Sequence, residues 1–221
     1  VPWAGRVGQG RFTFEGIAVQ LELDAPPHAL HGLAYRRPWT VQRTNAAQAE
    51  LGIDLSTPAM VAAGWPFGGH VGQQIIALSD GVQLTMEVTA GSSRLPLVLG
   101  WHPWFLRHLD GVPGRTVFQA AAMLQRGPDG LPTGARVPVP EGPWDDCMVG
   151  IHSTPGVEWP GVGRVEVDSN LDHLVIFDGR PDAICVEPQS GPPDAFNHDA
   201  PGLAPGASAH AWTSLRWVAA P

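Results

Sequence analysis

His102 stands in Trp101-His102-Pro103-Trp104-Phe105, an imidazole among aromatic rings directly after the apolar run Arg94 to Gly100. Burial among rings disfavours the charged imidazole and lowers its pKa, while a neighbouring carboxylate raises it again. That balance suits a proton donor near neutral pH. Taken alone, a core histidine with one hydrogen bond is the plainer reading. Glu187 closes the apolar run Ala183-Ile184-Cys185-Val186 and is followed by Pro188-Gln189. A carboxylate ending such a run lies at a sheet rim or in a cleft, and partial burial moves its pKa toward the range of a usable base. Its plainer reading is an exposed strand end.

Three further groups carry weaker signals. His28 and His31 sit three apart after Pro26-Pro27, but zinc ligation needs a third and fourth ligand, and no HExxH occurs. A loop histidine exposed to solvent is the simpler account, and the expectation is no metal. Asp145 and Asp146 follow Trp144. An indole face covers sugar C–H groups while a carboxylate accepts from hydroxyls, so this dipeptide suits carbohydrate recognition; a solvated turn fits equally. Gly8-Gln9-Gly10 and Gly68-Gly69-His70 match neither GxGxxG nor a P-loop, which leaves nucleotide binding without support.

The elements that must position these residues read as strands. Arg11 to Leu23 alternates around Glu15-Gly16 and predicts a hairpin; Gln73 to Thr89, turning at Asp80-Gly81, is a clearer one. Further strands are expected near 39–43, 49–55, 94–100, 116–124, 164–168, 173–177, 183–187 and 210–218. The stretch 126–143 is punctuated by Gly and Pro and reads as loop. Short helical turns are expected at 58–63 and 103–107, and no segment sustains a helical period with caps. About ten strands without real helices predict an all-β fold, one large antiparallel β-sandwich over residues 1–221.

Composition narrows the partners. A formal charge of -8 and the absence of a Lys/Arg stripe exclude a nucleic-acid track, since Arg36-Arg37 is the tightest basic cluster. No apolar run is long enough to span a bilayer, so no membrane partner is expected. Cys147 and Cys185 lack CxxC spacing and read as two unpaired buried thiols, which fits a reducing cytoplasm. Nine tryptophans against one tyrosine are unusual, and tryptophan-rich loops are a common feature of carbohydrate sites. The opening Val1-Pro2-Trp3-Ala4-Gly5-Arg6 reads as the middle of a loop, and an amino-terminal truncation is expected.

Taken in order, five segments resemble the aldose 1-epimerase (galactose mutarotase) family. They are Trp3-Ala4-Gly5-Arg6-Val7 with Gly10-Arg11-Phe12; Leu30-His31-Gly32 followed by Trp39; Trp101 to Phe105; Trp144-Asp145-Asp146; and Val186-Glu187-Pro188-Gln189-Ser190-Gly191-Pro192-Pro193-Asp194-Ala195. The last is the most specific. The resemblance implies a galactose mutarotase-like β-sandwich with an open sugar cleft. It implies a general base at Glu187 and a general acid at His102. His31, Arg6 and Asp145 bind the sugar, Asp146 being the alternative register for the aspartate. Many members have Asn where this chain has Trp101, and Gly where it has Leu33. HGLAYRRPW is similar to a bacterial subgroup. Members also carry strands before the arginine motif, which is why truncation is expected.

The implied chemistry interconverts the α and β anomers of a free aldose by opening and closing the ring, with no cofactor. Two other readings stand beside it. A glycoside hydrolase would use Glu187 with Asp145 across a glycosidic bond. A non-catalytic sugar-binding or regulatory module would keep the cleft and bind without exchange.

Overall fold

The computed structural model describes residues 1–198 and 201–220. Two large antiparallel sheets carry the chain. Six strands hydrogen-bond in the order Trp104–Leu106, Ala183–Gln189, His173–Phe177, Asp145–Ile151, Ala120–Arg126, Pro132–Val137. Eight form the second sheet, in the order Arg115–Val117, Gly156–Trp159, Gly163–Ser169, Ser208–Ala219, Gly81–Thr89, His70–Leu78, Gln48–Asp54, Thr40–Thr44. The one α-helix among the described residues, Pro58–Ala62, is a single turn with Pro at its start and Met60 buried beneath it. This is the expected antiparallel β-sandwich. Among the described residues no helix is long and apolar enough to cross a membrane.

By contact the chain divides into two compact units, one of residues 1–76, 84–99 and 191–211, the other of residues 77–83, 100–190 and 212–221. In the first, Trp3, Phe12, Trp65, Phe67 and Phe196 meet with ring centroids 4.9 to 6.4 Å apart and exclude water from one aromatic core. The hairpin Arg11–Phe14 with Ile17–Gln20 turns at Glu15-Gly16, where both residues have positive φ.

In the second unit, side-chain alternation sorts the six-stranded sheet into two faces. Met123, Met148, Leu174, Ile176, Ile184 and Val186 point one way, against Val157, Trp159 and Val167 of the other sheet. Each such fully buried side chain contributes roughly 1.5–3 kcal/mol relative to exposure. The register pairs Cys147 with Val175 and Val175 with Glu187, and Asp145 with Phe177 and Phe177 with Cys185. Directly opposed residues share a face, so Asp145, Cys147, Val175, Cys185, Glu187 and Gln189 all point away from that core. Leu124, Cys147, Val149 and Val175 form a small apolar cluster on this second face. Both cysteines are free and buried, as their contexts suggested.

Several local expectations change. Asp145–Ile151 is an interior strand of the six-stranded sheet rather than a turn after a loop; its Cys147, Met148 and Val149 are buried on both faces, which removes the alternation. Residues 104–106 pair with 183–185 as a strand, because Trp104 and Leu106 cover the sheet edge instead of turning. Pro132–Val137 is an edge strand with mostly exposed side chains, so no apolar period marks it. The run 94–100 supplies only Leu95–Pro96 to a strand and otherwise crosses the core irregularly. The single strand expected at 116–124 is two, Arg115–Val117 in one sheet and Ala120–Arg126 in the other.

Candidate active site

Glu187 and Gln189 are the polar residues of a strand that reads Ala183-Ile184-Cys185-Val186-Glu187-Pro188-Gln189, and Glu187 is only 2% exposed. A buried ionised carboxylate requires donors. Two are supplied within the second unit. His102 Nε2 lies 3.1 Å from Glu187 Oε1, and Gln189 Nε2 donates to Oε2 at 3.3 Å. The negative charge of Glu187 is felt by its neighbours: burial and that charge push the Cys147 thiol up to about 12, and push Cys185 higher still.

The segment bearing His102 is tied to the same strand by backbone. Gly100 bridges Gln189, and the Trp101 N–H donates to the Pro188 carbonyl at 3.2 Å. The imidazole stacks on Trp104 with ring centroids 5.0 Å apart and planes 18° apart. Trp104 is half exposed, meets Phe177 edge-on at 6.0 Å and carries the Arg180 guanidinium over its ring. Burial lowers the His102 pKa below 6.5, against a backbone hydrogen bond and the charge of Asp145, which both raise it. At neutral pH the resting imidazole is therefore mainly neutral, with Nε2–H directed at Glu187.

Asp145 faces the same side of the sheet as Glu187, two strands away. Arg126 Nη1 donates to its Oδ2 at 2.7 Å, and Arg126 Nε lies 3.3 Å from Asp146 Oδ1. Asp145 is thus an anchored carboxylate with part of its surface in solvent, suited to accepting from hydroxyls.

Arg6 and His31 belong to the first unit, on the paired two-residue strands Arg6–Val7 and Ala29–Leu30 and the turn after them. His31 has φ 59, an uncommon conformation for a residue other than Gly, though one in which His, like Asn and Asp, is enriched. Two hydrogen bonds hold it there: the His31 N–H donates to the Gly5 carbonyl at 2.9 Å, and the Gly5 N–H donates to His31 Nδ1 at 3.3 Å. Accepting at Nδ1 leaves Nε2 as the protonated nitrogen of a neutral ring. His28 is different in kind. It is 6% exposed, and its Nδ1 accepts from the Gln9 N–H at 3.1 Å, which makes it a structural histidine.

Sequence reasoning gave no role to four residues that matter here. Asp194, 7% exposed, accepts from the Gly8 N–H at 2.7 Å and the Asn197 amide at 2.8 Å, while its own N–H donates to the Arg6 carbonyl at 2.6 Å. It braces the strand that carries Arg6. Gly5 has φ +67, and a Cβ there would come within 3.1 Å of Pro193, so the Pro-Pro-Asp turn fits only against glycine. Gln189 and Arg126 anchor the carboxylates. The available signal was the run Pro192-Pro193-Asp194, whose rigidity marks a brace, and the polar Gln189 inside an otherwise buried strand.

Two cavities lie near these residues in sequence. One of about 250 Å³ in the first unit is lined by Trp3, Asp24, Gly32, Tyr35 and Arg36. A wider one of about 600 Å³ in the second unit is lined by Phe118, Gln119, Trp144, His152 and Glu158, and includes neither Glu187 nor His102.

A family model for aldose 1-epimerase matches residues 1–216. No curated protein matches in sequence. Among solved structures, a candidate aldose 1-epimerase of Escherichia coli K12 is 24% identical with a TM-score of 0.82, the match covering 100% of this chain and 82% of that one. A galactose mutarotase-like protein of Clostridium acetobutylicum is 17% identical with a TM-score of 0.88, over 99% of this chain and 78% of the other. A galactose 1-epimerase of Lactobacillus acidophilus is 14% identical with a TM-score of 0.81, over 100% and 79%. At these identities the likeness is one of fold.

Proposed function

This chain belongs to the aldose 1-epimerase family, and we propose that it is a mutarotase interconverting the α and β anomers of a free aldose. In this reading residues 1–221 act as one sugar-binding catalytic domain, with Glu187 as general base and His102 as general acid. The observation that carries it is the 3.1 Å contact between Glu187 Oε1 and His102 Nε2. A hemiacetal carbon bears two oxygens, the hydroxyl and the ring oxygen. Ring opening takes a proton from the first and gives one to the second. Two proton carriers within hydrogen-bond distance of each other can serve two oxygens attached to one carbon.

The steps follow. The Glu187 carboxylate removes the anomeric hydroxyl proton as protonated His102 delivers its Nε2 proton to the ring oxygen, and the bond from the anomeric carbon to the ring oxygen breaks. Glu187 is then protonated, His102 neutral, and the sugar an open aldehyde. Rotation about C1–C2 turns the other carbonyl face to the same oxygen. Closure runs the two transfers in reverse and restores both residues. Acid and base terms of about 10²–10⁴-fold each, with positioning, suffice for a reaction that water already performs, so no cofactor is required. Arg6 and His31, by the family motifs, steady charge on the sugar oxygens. Asp145, anchored by Arg126, accepts from ring hydroxyls, and the exposed Trp104 offers an apolar wall to sugar C–H groups. Two free thiols suit work in a reducing compartment such as the cytoplasm.

The test is anomer exchange followed by NMR over free and 6-phosphorylated hexoses and pentoses. At least one sugar should exchange at a rate proportional to protein concentration. Saturable binding with no acceleration would make the protein a sugar-binding module, and cleavage of an aryl glycoside would make it a hydrolase.

A further inference from the structure

Gln189 is 1% exposed and sits two residues beyond Glu187 on the same face of its strand. Its amide is polarised by its surroundings. Nε2 donates to Glu187 Oε2 at 3.3 Å, whereas Oε1 is buried and accepts no hydrogen bond among the described residues. The reverse orientation would set the amide oxygen against the carboxylate, so the donor end is committed to Glu187 and the acceptor end bears the unmet bond. An interior glutamine with an orphan oxygen is unfavourable for stability alone, since an apolar side chain of similar volume would leave nothing unsatisfied.

The backbone of the same residue does a second job. It pairs with His173 on one side and bridges Gly100 on the other, and Pro188 beside it accepts from the Trp101 N–H. Gly100 and Trp101 lead directly into His102. One residue therefore ties the strand of the carboxylate to the segment of the imidazole, and its side chain fixes how the carboxylate is turned.

We propose that Gln189 is the positioning residue of the proton-transfer pair: its amide holds the Glu187 carboxylate in the orientation that presents Oε1 to His102. The inference rests on the mutarotase reading for its kinetic consequence, though not for its geometric one. Without the Gln189 donor the hold on Oε2 is lost, and the carboxylate rotates between orientations of which a fraction are productive. Loss of orientation lowers kcat and leaves sugar affinity alone, because Gln189, 1% exposed, offers almost no surface to a sugar.

The experiment compares the full chain with Gln189→Met, which matches the volume without a donor, and Gln189→Asn, which keeps the amide but is one methylene too short to reach. Two readouts are taken. In ¹⁵N-histidine-labelled protein without sugar, the His102 Nε2–H resonance of the wild type should be shifted downfield by its hydrogen bond to Glu187. In both variants it should move upfield. In anomer exchange, kcat should fall about 10- to 100-fold with KM changed less than about twofold. An unmoved His102 resonance in either folded variant overturns the proposal, and so does a wild-type kcat. Should Gln189→Met fail to fold, Gln189→Asn decides alone. If the wild type exchanges no sugar but the resonance moves as expected, the mutarotase reading has failed while the positioning role stands.

Discussion

The two units hold their candidate site residues by opposite means. In the second, Glu187 rides an interior strand, and its place follows from a register shared with Val175 and Cys147 across two neighbours. Many ladder bonds fix that position, and no single one decides it. In the first, Arg6 and His31 sit on strands of two residues, and left-handed backbone at Gly5, His31 and Asp194 makes the turns. A handful of named bonds hold them, chiefly those of Asp194 and the Gly5–His31 exchange. A sheet spreads the work of positioning. A braced loop concentrates it, so its supports should be the more sensitive to substitution and its functional tips the more adjustable.

The sharpest break of that comparison is at Glu187 itself. Glu187→Gln should keep the fold, because the amide retains the shape within an undisturbed ladder, yet lower kcat/KM by about 10²-fold or more with sugar affinity nearly kept. Steady-state anomer exchange measures it, and more than about a tenth of wild-type kcat/KM would remove Glu187 from the role of base.

Asp194→Ala probes the braced loop. It deletes two buried acceptor bonds and puts alanine at φ 63, so urea unfolding should show a loss of about 1–3 kcal/mol. Asp194→Asn, which tolerates that backbone and keeps an acceptor, should recover most of it. An alanine variant within about 0.5 kcal/mol of wild type would show the loop to be held elsewhere.

The smallest effect concerns pH. Burial depresses His102, so its proton is lost as pH rises through a value below 6.5. The acid must be protonated, which places the alkaline limb of kcat/KM below pH 6.5. Trp104→Ala lets water reach the imidazole and should move that limb upward. A wild-type limb at or above pH 6.5 would mean that Glu187 and Asp145 outweigh burial once the sugar is absent.

Much of this was legible in the sequence. The hairpin at 73–89 was visible from Asp80-Gly81 and the alternation after it, and His70–Leu78 with Gly81–Thr89 is what forms. Glu187 and His102 were singled out by chemistry and motif, and the structure brings them within 3.1 Å of each other. Asp145 was legible as a polar group and not as part of a strand, because Cys147 and Met148 pack apolar surface on both sides and erase the period of two. Gln189 and Asp194 escaped for a different reason. Their importance lies in bonds to residues distant in space or to backbone, and neither leaves a spacing in the chain.

The contact between Glu187 and His102 also has a thermodynamic side. Glu187 and His102 contact each other at 3.1 Å, and under the proposed activity an incoming sugar would compete with that internal bond. A ring with both anomeric oxygens compensates for the bond it breaks. A 1,5-anhydro sugar, which keeps the ring oxygen and lacks the hydroxyl, breaks the bond and compensates on one side only. Under the proposed mutarotase activity, the pair would act as a filter that reads for a hemiacetal before any proton moves.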